Sequence, residues 1–108
     1  MAEKKMKTLN IEKSFENGKA VLTLEGRLNI DTAPVFSEAL PLDEDSLKEL
    51  VIDFEKVDYI SSAGIRALLA AVQTMEGRGE MKLVKVDESI MKIFEMTGFT
   101  EIVEVEKL

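Results

Sequence analysis

The sequence predicts an α/β fold in a single domain, with a mixed, mostly parallel sheet, an antiparallel hairpin at its N-terminal end and helices packed on one face. Two strand-like stretches joined by Asn17-Gly18 predict the hairpin. Strand and helix signals alternate after it without a linker, which predicts right-handed crossovers and parallel neighbours. A length of 108 residues at 45% hydrophobic and 32% charged supports one core and not two, so residues 1–108 are read as one domain with an ordered core over about 6–106.

Met6 to Phe15 and Lys19 to Leu28 are the hairpin strands, turning at Glu16-Asn17-Gly18. Asp31 or Thr32 caps a first helix that carries Pro34 in its first turn, where a missing N–H does no harm. Val35, Phe36, Ala39 and Leu40 give this helix an apolar face, and Pro41 ends it. Leu50 to Phe54 reads as a buried strand with Asp53 to Tyr59 as its polar exit. The next helix runs from Ser62 to Glu76, its Ile65, Leu68, Leu69 and Val72 at helical spacing, closed by Gly77-Arg78-Gly79. Met81, Leu83, Val84 and Val86 make a further strand. Asp87 caps a third helix with Ile90, Ile93 and Phe94 inward and Gly98 as its stop, and Glu101 to Val105 closes the sheet. The expected core is Ile52, Phe54, Ile65, Leu68, Leu69, Leu83, Val84, Ile93 and Phe94.

Composition narrows the function. The chain has no histidine and no cysteine, which removes the imidazole of a Ser-His-Asp triad, the thiolate nucleophile and the usual zinc ligands. A net charge of −7 with scattered lysines argues against direct nucleic-acid binding. No apolar run approaches a membrane span and the N-terminus lacks a signal-peptide segment, so a cytoplasmic location and no membrane partner are expected. Asp43-Glu44-Asp45 reads as a solvated connection rather than a Mg²⁺ site, and Gly77-Arg78-Gly79 lacks the spacing of a phosphate loop. Asp53, Glu55 and Asp58 are the only carboxylates placed for catalysis, and no nucleophile–base pair accompanies them. The expectation is a non-enzymatic monomer with no cofactor and no metal.

One segment asks for more than a structural role. Ser61 and Ser62 stand where a buried strand gives way to a helix, and either serine can cap that helix. No Glu or Gln follows three residues on, because Gly64 and Ile65 stand there, so the capping box is absent. Gly64 costs about 1 kcal/mol against Ala in a helix, and close approach of another molecule is one reason to keep it small.

Three runs carry a resemblance: Leu24-Glu25-Gly26-Arg27-Leu28-Asn29-Ile30-Asp31-Thr32-Ala33, the segment Val51 to Leu69, and Phe94-Glu95-Met96-Thr97-Gly98-Phe99. In this order and spacing the chain resembles the STAS domain shared by sulfate transporters and anti-sigma factor antagonists. The likeness spans nearly the whole chain, which as a short, free-standing domain is more similar to the bacterial antagonists than to transporter tails. The resemblance implies a partner switch. In that family a serine-protein kinase that is also an anti-sigma factor phosphorylates one serine at the helix start. The unmodified antagonist binds the anti-sigma factor and releases the sigma factor, and a PP2C-type phosphatase resets the cycle. Matching the motif puts the phosphoacceptor at Ser62, two residues before Gly64, with Ser61 as the second candidate. Many family members carry Asp where this chain has Ser61, and Thr or Ser where it has Ala63. The other reading is a STAS interaction module outside any phosphorylation switch, a scaffold or a subunit regulating a transporter.

The partner surface expected around the serine comprises Asn29, Asp31, Thr32, Ser61, Ala63, Gly64 and Arg66. The strand before Asn29 ends at the same sheet edge as the strand before Ser61 if the two are parallel. Asp31 or Thr32 is then both a helix cap and a rim. Arg66 follows Ser62 by four residues and shares its helical face.

Overall fold

Residues 9–108 are described by the structure, a computed structural model. The hairpin forms where its turn signal places it: Asn17 (φ 53°) and Gly18 (φ 83°) both take the left-handed region that a two-residue turn requires, and Asn and Gly tolerate it best. Strands β1 (Leu9–Glu16) and β2 (Lys19–Leu28) pair antiparallel from Glu16↔Lys19 to Leu9↔Gly26. The predicted start of β1 over Met6–Thr8 lies outside the described residues.

Helix α1 (Ala33–Ala39) leads to β3 (Glu49–Ile60), then α2 (Ser62–Met75), β4 (Glu80–Val86), α3 (Glu88–Met96), a 3₁₀ turn (Phe99–Glu101) and β5 (Glu104–Lys107). The sheet order is β1-β2-β3-β4-β5, with β2 through β5 parallel. Alternation assigns the faces. Ala20, Leu22 and Leu24 of β2, Leu50, Ile52 and Phe54 of β3 and Leu83 of β4 join Phe36, Leu68 and Phe94 from the three helices in one buried cluster. Phe94 sets its ring edge-on to Phe54 at 5.8 Å and beside Phe99 at 5.2 Å. All three helices therefore cover one face. On the other, Val21, Thr23, Asp53 and Lys82 remain half-buried, while Val51, flanked in register by Val21 and Lys82, is buried.

Several expectations need correction. The supposed polar exit Asp53 to Tyr59 is strand: β3 continues to Ile60, and Val57 and Ile60 are buried. Its far half pairs with the end of β2, through two register shifts, up to Leu28↔Ile60. β4 accompanies β3 only to Asp53↔Val84, so the β2–β3 ribbon projects past the rest of the sheet. Val84 belongs to the open face rather than the core, because in a strand it alternates with the buried Leu83. Ile65, Leu69 and Ile93 pack against the core without full burial, and Val35 is 45% exposed. β5 starts three residues late, since Gly98 (φ 78°) reverses the chain and the 3₁₀ turn buries Phe99 against Phe94 first. Helix α2 ends at Met75, one residue before the predicted Glu76.

Candidate functional site

Each parallel strand delivers its C-terminal end to one sheet edge, and there β2 and β3 stay hydrogen-bonded to the last residue: the Ser61 N–H donates to Leu28 O at 3.0 Å. The two turns that follow, Asn29–Thr32 and Ser61–Gly64, therefore start side by side. The structure brings together the sequence-predicted Asn29, Asp31, Thr32, Ser61, Ala63 and Gly64, with Arg66 one turn into α2.

The two serines separate. Ser61 is the N-cap, in extended conformation, and its Oγ accepts the Gly64 N–H at 3.2 Å. Ser62 is the first helical residue, is exposed, and among the described residues its hydroxyl has no partner. Ala63 is half-buried, and Arg66 is exposed on the same helical face as Ser62. No acidic side chain lies in the first turn of α2, and its cap is a neutral hydroxyl, so the helix itself supplies no negative charge to its positive end.

Gly64 has an internal reason to be small. A Cβ there would stand 2.6 Å from Leu28 O and 2.9 Å from Ile60 Cγ1, inside contact distance of the strand ends. Close packing of the helix on its own sheet is by itself enough to account for the glycine.

The Asn29–Thr32 turn is closed by its own side chains. Asn29 Oδ1 accepts the N–H groups of Asp31 at 3.0 Å and Thr32 at 3.1 Å. The Thr32 hydroxyl, 2% exposed with its residue, donates to Arg27 O at 2.7 Å and accepts the Asn29 N–H at 2.9 Å. The expectation that Asp31 or Thr32 caps α1 through its side chain is corrected here. Thr32 holds the N-cap position, but no side-chain cap bond forms, because its hydroxyl is committed backwards to β2. Asp31 is exposed on the rim.

Two exposed features at this edge escaped the sequence reading. Ile30 at the tip of the Asn29–Thr32 turn is 71% exposed, and the Arg27 guanidinium stacks 4.7 Å from the centre of the Tyr59 ring. The register Arg27↔Tyr59 was the missing signal, and it needs β3 extended to Ile60. Of the carboxylates considered for catalysis, Asp58 is exposed on β3, and the other two are engaged with Lys85. Asp53 and Glu55 both face the Lys85 Nζ at 3.6 Å, and Asp53 also accepts the Glu55 N–H at 2.9 Å. Of the acidic loop Asp43-Glu44-Asp45, Glu44 is held through its carbonyl, which accepts from Arg78 Nη2 at 2.8 Å. Among the described residues no helix is long and apolar enough to cross a membrane.

The family model for the STAS domain matches residues 10–107. An anti-sigma-B factor antagonist of Listeria monocytogenes is 30% identical over 87 residues, 77% of this chain and 75% of its own length. The crystal structure of an anti-sigma factor antagonist from Mycobacterium paratuberculosis superposes with a TM-score of 0.82 at 20% identity, covering 94% of this chain and 87% of that one. The Bacillus cell-fate determinant SpoIIAA in its phosphorylated form does so with a TM-score of 0.68 at 16% identity, over 91% and 90%. The chain belongs to the STAS domain family, with anti-sigma factor antagonists among its relatives.

Proposed function

We propose that the chain is the antagonist of a phosphorylation-controlled partner switch, with Ser62 as phosphoacceptor. The unmodified form binds an anti-sigma factor that is also a serine-protein kinase and so frees the sigma factor. Transfer of the γ-phosphoryl group of ATP to Ser62 Oγ, with loss of the hydroxyl proton and release of ADP, ends that binding. A PP2C-type phosphatase restores it by hydrolysis to serine and inorganic phosphate.

One observation carries the choice of residue: Ser61 is spent on the helix cap, while Ser62 stands exposed and unengaged beside it. A phosphoryl group adds about −1.5 to −2 charges and three acceptor oxygens. The start of α2 offers bare N–H donors and a partial positive charge to receive them, so the fold accommodates the modified state. A partner packed on the same surface would have to bury a near-dianion. Since each 1.4 kcal/mol is tenfold in affinity, a coupling of a few kcal/mol suffices to change occupancy.

Incubation with ATP and a GHKL-type anti-sigma kinase from the source genome, followed by mass-spectrometric mapping, tests the assignment. The label is expected on Ser62. Ser62→Asp should fold and lose binding, and Ser62→Ala should bind and resist phosphorylation. Ser61→Ala should retain both activities at some cost in stability. Modification confined to Ser61, or no modification with intact binding, overturns the proposal, the latter in favour of an unphosphorylated interaction module.

A further inference from the structure

The Asn29–Thr32 turn is held by the side chains of Asn29 and Thr32, yet displays an isoleucine. Asn29 Oδ1 gathers two backbone N–H groups, and the Thr32 hydroxyl ties the turn to Arg27 O at 2.7 Å. Thr32 is 2% exposed and Ile30, two residues away, is 71% exposed. Single exposed apolar residues are common and mean little by themselves. This one differs in being fixed: the side-chain bonds on both sides of it determine where the backbone at Ile30 points, so its placement does not depend on a partner.

Rigidity and position together give it a use. A β-branched side chain on a pre-closed turn loses little freedom when a partner covers it, which is the condition under which apolar burial appears as affinity. Position follows from the strand ends. Because Leu28 and Ser61 are hydrogen-bonded neighbours, Ile30 and Ser62 leave adjacent strands with their α-carbons at most about 16 Å apart. A standard interface of about 800 Å² per partner spans that distance easily.

We infer that Ile30 is the apolar anchor of the Ser62 surface and enters an apolar recess on the anti-sigma kinase, with Asn29 as the residue that positions it. The inference rests on the partner-switch reading. It divides the labour between the two turns: the β3–α2 turn carries the switch and the β2–α1 turn carries affinity. Phosphorylation then leaves the anchor intact while ejecting the partner from beside it.

Titration calorimetry of the unphosphorylated chain against the purified kinase tests this. Ile30→Ala should weaken binding at least about tenfold while melting as the wild type does. Met96→Ala, which removes a side chain 83% exposed at the end of α3, should bind unchanged. Asn29→Ala should weaken binding as Ile30→Ala does, and Asn29→Asp, which keeps the acceptor oxygen for the Asp31 and Thr32 N–H groups, should restore it. Ile30→Ala within twofold of wild type overturns the inference. So does a loss shared equally by Met96→Ala. If instead Ser62→Asp binds like the wild type, the switch reading fails, while the Ile30 and Asn29 variants still report whether the turn is a contact.

Discussion

Helices α2 and α3 begin with the same cap geometry but with different charge, one neutral and one acidic. Each follows a parallel strand, and each is capped by a side-chain oxygen that accepts the N–H three residues on, Ser61 from Gly64 at 3.2 Å and Asp87 from Ile90 at 2.9 Å. At α3 the cap is a carboxylate and the first helical residue is Glu88, so the positive helix end already carries two acidic groups. At α2 the cap is a hydroxyl and the first helical residue is Ser62. The aligned positions continue the parallel: Ala63 with Ser89, Gly64 with Ile90, and Arg66 with Lys92. Phosphorylated Ser62 followed by Arg66 would reproduce the charge pattern that Glu88 and Lys92 hold permanently. Because the fold keeps Asp87 and Glu88 at the start of α3, the uncharged start of α2 is expected to tolerate added negative charge as well.

If both helices are anchored equally well, truncating a buried side chain of each should cost a similar amount. Leu68 of α2 and Phe94 of α3 are both fully buried. Leu68→Ala should cost about 2–5 kcal/mol and Phe94→Ala about 3–5 kcal/mol by chemical denaturation. A loss below half a kcal/mol at Leu68, against a normal one at Phe94, would mean that α2 is not held by its buried face.

Next in size is the third helical position, where the two starts differ sterically. Ile90 has room for a full side chain in α3, whereas a Cβ on Gly64 would press on Leu28 O at 2.6 Å. Helix propensity favours Gly64→Ala by about 1 kcal/mol, but overpacking against backbone costs about 1–3 kcal/mol. The clash should win, giving a net loss in denaturant titrations. A stabilised Gly64→Ala would show that the helix can lift from the strand ends freely.

The legibility of these regions in the sequence follows from the range of the interactions. The hairpin, the Asp87 cap and the apolar face of α2 are encoded within a few residues and could be read directly. Val57 and Ile60 could not, because the alternation that makes them strand is interrupted by register shifts against β2 that only pairing reveals. The reason for Gly64 lay 36 positions away at Leu28, so a glycine that seemed to invite a partner was answering its own sheet. Thr32 was legible as a helix start by position but not by bonding, since its hydroxyl turns back to Arg27. Of the serine pair, the sequence allowed either as cap, and the backbone direction at the end of β3 decided for Ser61.

Smaller effects test the electrostatic half of the comparison. Ser62→Glu should make the start of α2 resemble that of α3 and gain about 0.3–1 kcal/mol, and Glu88→Gln should lose a similar amount. Thermal melts at low and high salt check both, because screening should shrink the two changes together. A Ser62→Glu protein destabilised at every salt concentration would mean that the α2 start is not open to negative charge, and the tolerance argued for the phosphorylated state would fall with it.

The smallest effect is the most specific. Arg66 stands four residues after Ser62, the spacing at which helical side chains meet, and both are exposed. A phosphoryl group on Ser62 would be expected within reach of that guanidinium, and phosphate–arginine bonds are charge-assisted and often bidentate. Solvent weakens the pair to about 0.3–1 kcal/mol, as for other surface ion pairs. Among the described residues the same arginine makes no ion pair or hydrogen bond, so on the proposed partner surface Arg66→Ala should also weaken anti-sigma binding. Melts of modified and unmodified protein, with and without Arg66, close a double-mutant cycle. A smaller phosphorylation-induced shift in the Arg66→Ala background is expected. Equal shifts in both backgrounds would leave the phosphate supported by the helix N–H groups alone, and the resemblance of Ser62 and Arg66 to Glu88 and Lys92 would then end at the first turn.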